Sequence, residues 1–285
     1  MPLSNYIKLT RLNQPTGILL LFLPCLFGIF LALKKLPNFD LAEITRIGFL
    51  FFVGSVVMRS AGCVINDLID QKFDAKVART KNRPLAAKKI SRRAALILLS
   101  FLLFLGLVVL LQFNALTFLS GFVALALVAT YPLMKRITHY PQIFLGLTFN
   151  FGILMASLAL LGRIEFSTWA LYFSCIIWTV IYDTIYAYQD ISDDLKIGVK
   201  STAIKFQKNP RKILTLLNFT LFVSLIFLGW SEHFSSGFFL AILATDLFLN
   251  QKIKSCDFEN SQHCLKVFKA NIWVGFLILT AIILG

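Results

Sequence analysis

The chain alternates long apolar runs with short polar stretches, and the runs are too long and too evenly hydrophobic for the amphipathic helices of a soluble bundle. A spanning helix needs about 20 mostly apolar residues. Nine segments approach that length, at 16–34, 44–66, 91–111, 114–133, 141–161, 167–189, 212–230, 236–250 and 267–284. The pattern therefore predicts an all-α, polytopic membrane bundle of about nine transmembrane helices, with 236–250 the shortest. No Gly/Ser linker or low-complexity tract divides the chain, so residues 1–285 read as a single membrane domain. The run from Thr16 to Leu33 follows Lys8 and Arg11 as a secretion signal would. It is long for one and no small-residue cleavage site follows, so it reads as a retained first span.

Charge supports this division. Of the 285 residues, 58% are hydrophobic and 15% charged, against roughly 25% charged in soluble domains. The net charge of +14 would suggest nucleic acid in a soluble protein. Here the basic residues instead sort by loop. With the N-terminus inside, Lys8, Arg11, the run from Lys72 to Arg93, Lys135, Arg136, Lys196 to Lys212 and Lys252 to Lys269 all fall on the inner side. The outer loops hold only Lys34, Lys35, Arg46 and Arg163. Such asymmetry predicts a cytoplasmic N-terminus and an external C-terminus, and it leaves no role for nucleic acid as a partner. The long polar loops at 67–90 and 190–211, which follow the second and sixth spans, are then cytoplasmic.

Cysteine adds little. Cys25, Cys63 and Cys175 lie in apolar runs, where Cys packs as a small hydrophobe. The spacing of Cys256, His263 and Cys264 matches no zinc pattern.

The chemistry lies in the acids. The chain has 14 Asp and Glu residues, and half of them fall in two clusters at the inner ends of spans. The first is Asn66-Asp67-Leu68-Ile69-Asp70-Gln71-Lys72-Phe73-Asp74 and the second runs from Asp183 through Asp190 to Asp193-Asp194. Asp67, Asp70 and Asp74 share one helical face, and Asp183, Tyr186, Asp190 and Asp194 form a second stripe. Like charges one turn apart repel, and more so where the dielectric falls. Something positive should sit between the carboxylates. Mg²⁺ favours oxygen ligands and is commonly bound by one or two carboxylates plus phosphate oxygens. Two facing Asp clusters suit a diphosphate held through bridging Mg²⁺. The basic run Arg79-Thr80-Lys81-Asn82-Arg83, the pair Lys135-Arg136, and Lys196 are placed to neutralise phosphate oxygens. Arg59 stands alone within a span, about two turns before Asn66, and an intramembrane Arg is a functional candidate by default.

These words resemble a known family. Asn66 to Asp74 is similar to the NDxxDxxxD motif of the UbiA superfamily of intramembrane aromatic prenyltransferases, and Asp190 to Asp194 to its second motif, DxxxD. The flanking words Arg59-Ser60-Ala61-Gly62-Cys63, Arg79 to Leu85, Tyr131 to Arg136, Tyr182-Asp183-Thr184 and Asp194 to Ser201 resemble the bacterial 4-hydroxybenzoate polyprenyltransferases of ubiquinone synthesis. Two departures stand out. Leu85-Ala86-Ala87-Lys88 lacks the glycine expected a few residues after Pro84, and Tyr188-Gln189 resembles related branches that use other acceptors, of naphthoate or haem type.

The resemblance implies a bacterial inner-membrane enzyme with a central cavity capped by the motifs. Its substrates would be polyprenyl diphosphate and 4-hydroxybenzoate. Asn66, Asp67, Asp70, Asp74, Asp190 and Asp194 would hold Mg²⁺, and the five aspartates would be catalytic through it. Arg79, Arg83, Arg136 and Lys196 would bind the diphosphate. Arg59, Asp183 and Tyr186 would face the aromatic acceptor. A transporter is the alternative from another class; it predicts charged residues at midmembrane on broken helices, whereas these acids sit at one membrane edge.

Overall fold

The computed structural model describes residues 2–285, and every regular element among them is helical. A short helix α1 (Leu3–Thr10) precedes α2 (Thr16–Leu33), α3 (Leu41–Asp74), α4 (Arg92–Leu110) and α5 (Ala115–Ile137). Then come α6 (Pro141–Phe149), α7 (Phe151–Leu161), α8 (Phe166–Ala187), a 3₁₀ turn at Tyr188–Asp190, and the short α9 (Ile191–Ile197) and α10 (Thr202–Phe206). The chain ends with α11 (Pro210–Ser231), α12 (Ser236–Ser255) and α13 (Ser261–Leu284). All nine expected spans are helical. Among the described residues, eight helical segments are long and apolar enough to cross a membrane, counting α6 with α7 and α8 with α9. The remaining one, α12, has 20 residues but carries Asp246, Lys252 and Lys254.

Local chemistry sets the ends. Asp40, Ser91, Asn114 and Asn260 cap α3, α4, α5 and α13 by accepting from backbone N–H groups in the first turn. Prolines open α6 and α11, where the missing N–H costs nothing.

The structure departs from the sequence reading in four places. The second span does not end near residue 66: α3 continues for 34 residues to Asp74. At 1.5 Å per residue it is about 50 Å long and outruns the roughly 30 Å hydrocarbon layer. The first acidic motif thus stands on helix rather than in the loop expected from 67. The fifth span is broken at Asn150, whose side-chain amide donates to Gly146 O at 2.8 Å, Cys175 O at 3.1 Å and Thr179 Oγ1 at 2.8 Å. These bonds satisfy the buried amide and tie the break to α8. The second polar loop is also partly helical, in α9 and α10. Finally, the stripe from Asp183 to Asp194 is not one continuous α-helix, because the 3₁₀ turn intervenes. Its three residues per turn shift the register, leaving Asp183 and Tyr186 on α8, Asp190 at the turn and Asp194 on α9.

The largest core lies between α2, α7, α8, α11, α12 and α13, with Phe27, Trp178, Tyr182 and Phe238 fully buried. Trp178 Nε1 donates to Asn271 Oδ1 at 3.0 Å, which satisfies the indole inside an apolar bundle. In contrast, α4 and α5 turn Ile97, Phe101, Phe104 and Phe122 outward. Exposed apolar residues of this density fit lipid as the surrounding solvent.

Candidate active site

At the motif end of the bundle, α3 and the α8–α9 turn bring both acidic clusters to the mouth of one cavity of about 1370 Å³. Asn66, Asp70, Asp74, Asp183, Tyr186, Asp190 and Asp194 line it, as do Arg59, Arg79 and Arg83.

The acids are deeply placed. Asp67 and Asp70 are each only 1% exposed, and each is countered by two cations. Asp67 Oδ1 accepts from Arg11 Nη2 at 2.6 Å and from Arg83 Nη1 at 3.2 Å. Arg83 Nη1 also donates to Asp74 Oδ2 at 2.8 Å, so one guanidinium spans two members of the motif. Lys135 Nζ lies 2.6 Å from Asp70 Oδ2 and Arg136 Nη2 lies 3.5 Å from Asp70 Oδ1. A buried carboxylate without such pairing would be strongly destabilising.

The second motif is tied to the first through the loop after α3. Arg79 Nε donates to Asp190 Oδ1 at 2.8 Å and Arg79 Nη2 pairs with Asp190 Oδ2. Arg79 Nη1 donates to the Tyr186 hydroxyl at 2.9 Å, with the guanidinium over the Tyr186 ring, 5.1 Å from its centre. Burial alone would lower the Arg79 pKa, but its bonds to Asp190 and the nearby Tyr186 hold it above the usual range. Ala78 N donates to Asp193 Oδ2 at 2.8 Å. Further along, Lys200 N donates to Lys135 O at 2.8 Å and Thr202 N donates to Gln142 Oε1 at 3.1 Å. These bonds clamp the loop after α9 onto α5 and α6.

Deeper in the cavity, the Arg59 guanidinium lies 5.2 Å from the centre of the Phe149 ring. Gly17 makes room for it: a Cβ there would sit 2.6 Å from Arg59 Nε. Asp183, Tyr131 and Gln142 also line this region.

Most expected residues thus meet at one mouth, with three exceptions. Asp67 does not line the cavity: it is buried beside it, held by Arg11 and Arg83. Lys196 projects outward, its side chain 76% exposed and only 3.8 Å from Asp193 Oδ1. The reason is register: Lys196 follows Asp194 by two residues on α9, about 200° round the helix, so it lies away from Asp194's face. Arg136 lies behind the motif, donating to Ile69 O at 3.0 Å and stacking near Phe73. Sequence reasoning missed Arg11, Gln142 and Asp193. Arg11 ends α1 with φ of 54° and reaches Asp67 on α3, a contact that nothing in its sequence surroundings marks.

The missing glycine after Pro84 has a structural counterpart. Lys88 adopts φ of 57°, a conformation that suits glycine and strains a lysine. Lys89 N and Ile90 N both bond Pro84 O, which closes this turn behind Arg83. Lys88→Gly should raise stability by roughly 0.5–1 kcal/mol, after the added freedom of the unfolded chain is counted. A lower unfolding temperature of the variant in detergent would contradict that reading of the loop.

The fit to a hard cation rests on what the pairing leaves unsatisfied. Asp67 Oδ2 and both carboxyl oxygens of Asp70 are buried without a hydrogen-bond partner. The cations beside Asp70 are close enough for ion pairing yet not aligned for hydrogen bonds. No group of three His, Cys, Asp or Glu side chains among the described residues is gathered closely enough to form a ready metal site. The donor set is nevertheless all oxygen and surplus in lone pairs, as Mg²⁺ with phosphate oxygens requires.

Comparison with known proteins agrees with this geometry. The pattern described as the UbiA prenyltransferase family matches residues 21–275. The mitochondrial 4-hydroxybenzoate polyprenyltransferase of Drosophila pseudoobscura pseudoobscura is 42% identical over 98% of this chain and 70% of its own length. The 4-hydroxybenzoate octaprenyltransferase of Tolumonas auensis is 41% identical over 98% of this chain and 96% of its own. Among solved structures, a UbiA homolog from Aeropyrum pernix K1 superposes with a TM-score of 0.75 at 22% identity, covering 93% of this chain and 96% of that one. A homolog from Archaeoglobus fulgidus bound to GPP and Mg²⁺ gives 0.71 at 20% identity, over 96% and 99%. At such identities the structures establish the shared fold, while the match across residues 21–275 and the closer relatives establish descent: the chain belongs to the UbiA prenyltransferase family.

Proposed function

We propose that this protein transfers a polyprenyl group from polyprenyl diphosphate to the ring carbon ortho to the hydroxyl of 4-hydroxybenzoate, releasing diphosphate, as a step of ubiquinone synthesis. The observation that carries the reading is the joining of two aspartate motifs, with their surplus of cations, across one cavity mouth that opens onto an apolar interior. The two relatives named for 4-hydroxybenzoate support the choice of acceptor.

The division of labour follows from position. Asp67, Asp70, Asp74, Asp190 and Asp194, with Asn66 orienting a ligand or water, would hold Mg²⁺. Bound there, Mg²⁺ neutralises the charge that develops on the leaving diphosphate. Arg79 and Arg83 already bridge the acids, so an incoming diphosphate can take over their N–H donors while the acids are freed. Lys135 replaces Lys196 in this role, because it lines the cavity and Lys196 does not. Arg136 steadies Asp70 from behind. The donor's C1–O bond breaks with its electron pair on the diphosphate, the allylic cation is attacked by the ring, and loss of the ring proton restores aromaticity. Aromatic walls such as Tyr186 can stabilise that cation. Arg59 meets the acceptor's carboxylate, with Asp183 beside it.

We place residues 1–285 in one membrane domain, with the N-terminus and both motifs on the cytoplasmic side of a bacterial inner membrane. The loop charges support the orientation, and the resemblance of the flanking words supports the bacterial setting; relatives occur in bacteria and mitochondria alike. Cysteines introduced at the exposed positions Lys88 and Lys205 should react with an impermeant maleimide only from the cytoplasmic side. Labelling of either from the outside would invert the topology.

The acceptor is tested by membranes containing the protein, one polyprenyl diphosphate and a panel of aromatic acids. Prenylated 4-hydroxybenzoate should dominate. Preference for a naphthoate or a porphyrin would reassign the substrate within the same family.

A further inference from the structure

The two cations that face Asp70 hang from a helix end that the sequence leaves weak. Lys135 and Arg136 occupy the last turn of α5, and Pro132 lies inside the helix just before them. Proline has no N–H to give, so one bond of the helical ladder is missing there. The last carbonyls of a helix also have no partner within it. Thr138 N reaches back to Met134 O at 2.8 Å, and the chain then leaves the helix as extended backbone. Two of the carbonyls that remain are taken by one residue from a distant part of the sequence. Lys200 N donates to Lys135 O at 2.8 Å, and Lys200 Nζ donates to Ile137 O at 3.0 Å. An ammonium suits this place, because it meets the negative end of the helix dipole as well as a carbonyl.

The same residue is fixed from the side of the second motif. Gly198 N and Val199 N both bond Asp194 O, at 3.0 and 3.2 Å, and Gly198 takes a φ of 74° that turns the chain off the end of α9. Just beyond Lys200, the Thr202 hydroxyl meets that of Thr184 at 2.6 Å, in addition to the bond from Thr202 N to Gln142. Lys200 is thus held between Asp194 on one side and Lys135 on the other, and Lys135 Nζ lies 2.6 Å from Asp70 Oδ2. We propose that Lys200 is a positioning residue for prenyl transfer. It caps α5 so that Lys135 stands over Asp70 and the incoming diphosphate, and it ties the second motif to the first by a route separate from Arg79. The inference rests on the proposed donor site and adds to it a residue that acts through main-chain carbonyls. A lysine at the cavity wall would otherwise suggest a direct phosphate ligand, but this ammonium is committed to Ile137 O.

Two measurements on the full chain in nanodiscs test this role. Lys200→Met removes the ammonium and leaves the main-chain bond to Lys135 O, so the fold should persist. With no substrate present, hydrogen–deuterium exchange over residues 133–138 should quicken about tenfold in Lys200→Met. It should stay near the unmodified rate in Lys200→Arg, which keeps a donor for Ile137 O. Unchanged exchange in Lys200→Met, or exchange quickened across the whole protein, would overturn the proposal. With substrates, Lys200→Met should lower kcat/KM for polyprenyl diphosphate about tenfold and leave the KM for 4-hydroxybenzoate within about twofold. In a Lys135→Met background the same change should cost less than about twofold more, because its effect passes through Lys135. A second tenfold loss in that background would show Lys200 acting on its own and would also overturn the proposal. Failure of the donor reading would appear differently, as an unmodified protein inactive with every prenyl diphosphate while the exchange result stands.

Discussion

Asp70→Ala and Asp190→Ala should each lower prenyl transfer by at least two to three orders of magnitude, and the double variant should be little worse than either alone. Asp70 belongs to α3 and Asp190 to the 3₁₀ turn after α8, yet Arg79 and the Ala78–Asp193 bond hold the two motifs together. If both grip one diphosphate through shared cations, removing either empties the same site. Loss of a single preorganised electrostatic partner costs about 10²–10³ in rate, and groups that act as a unit are non-additive. The losses should not reflect unfolding: alanine leaves Arg79 or Lys135 unpaired but partly solvated, since their side chains are 33% and 28% exposed. Asp70→Asn separates charge from shape; it should be nearly as inactive as the alanine variant. Independent, multiplicative losses measured in one membrane preparation would split the two motifs into unrelated sites.

Arg59→Ala should act on the other substrate. Arg59 lies within a span, over Phe149 and against the open face left by Gly17, away from the cluster that Arg79 and Arg83 neutralise. A hydrogen bond to a charged group contributes roughly 1.5–3 kcal/mol. The KM for 4-hydroxybenzoate should therefore rise about ten- to a hundredfold, with the KM for the prenyl diphosphate little changed. A variant impaired only toward the diphosphate would move Arg59 to the donor side. Gly17→Ala provides a second reading of the same contact, because its Cβ would push the guanidinium aside without removing its charge.

Much of this arrangement was legible from the chain. Hydropathy marked every span, and the Asp67–Asp70–Asp74 spacing placed three carboxylates on one face before any coordinates. Residues that act through backbone geometry were harder to find. Asn150 looks like any polar residue in an apolar run, and only the neighbouring carbonyls reveal it as the cause of a helix break. By spacing Asp190 continues a helical stripe, because a 3₁₀ turn leaves no mark in hydrophobic periodicity. Nearness in sequence to the second motif points to Lys196, while Arg11, 56 residues from its partner Asp67, reads from sequence only as a topology signal. Positive charge along a membrane protein serves orientation and catalysis alike, and pattern alone does not separate the two. The glycine missing after Pro84 was a true signal: it pointed to the one turn of that loop where Lys88 is forced into a left-handed conformation.

The central claim is that the paired aspartate motifs hold a diphosphate through a hard divalent cation so that its prenyl group can pass to 4-hydroxybenzoate. The most direct test is product formation by the purified protein in nanodiscs, followed by mass spectrometry, first with excess chelator and then with Mg²⁺ restored. No prenylated 4-hydroxybenzoate should form under chelation, and adding Mg²⁺ should restore it fully. Undiminished turnover in excess chelator would contradict it.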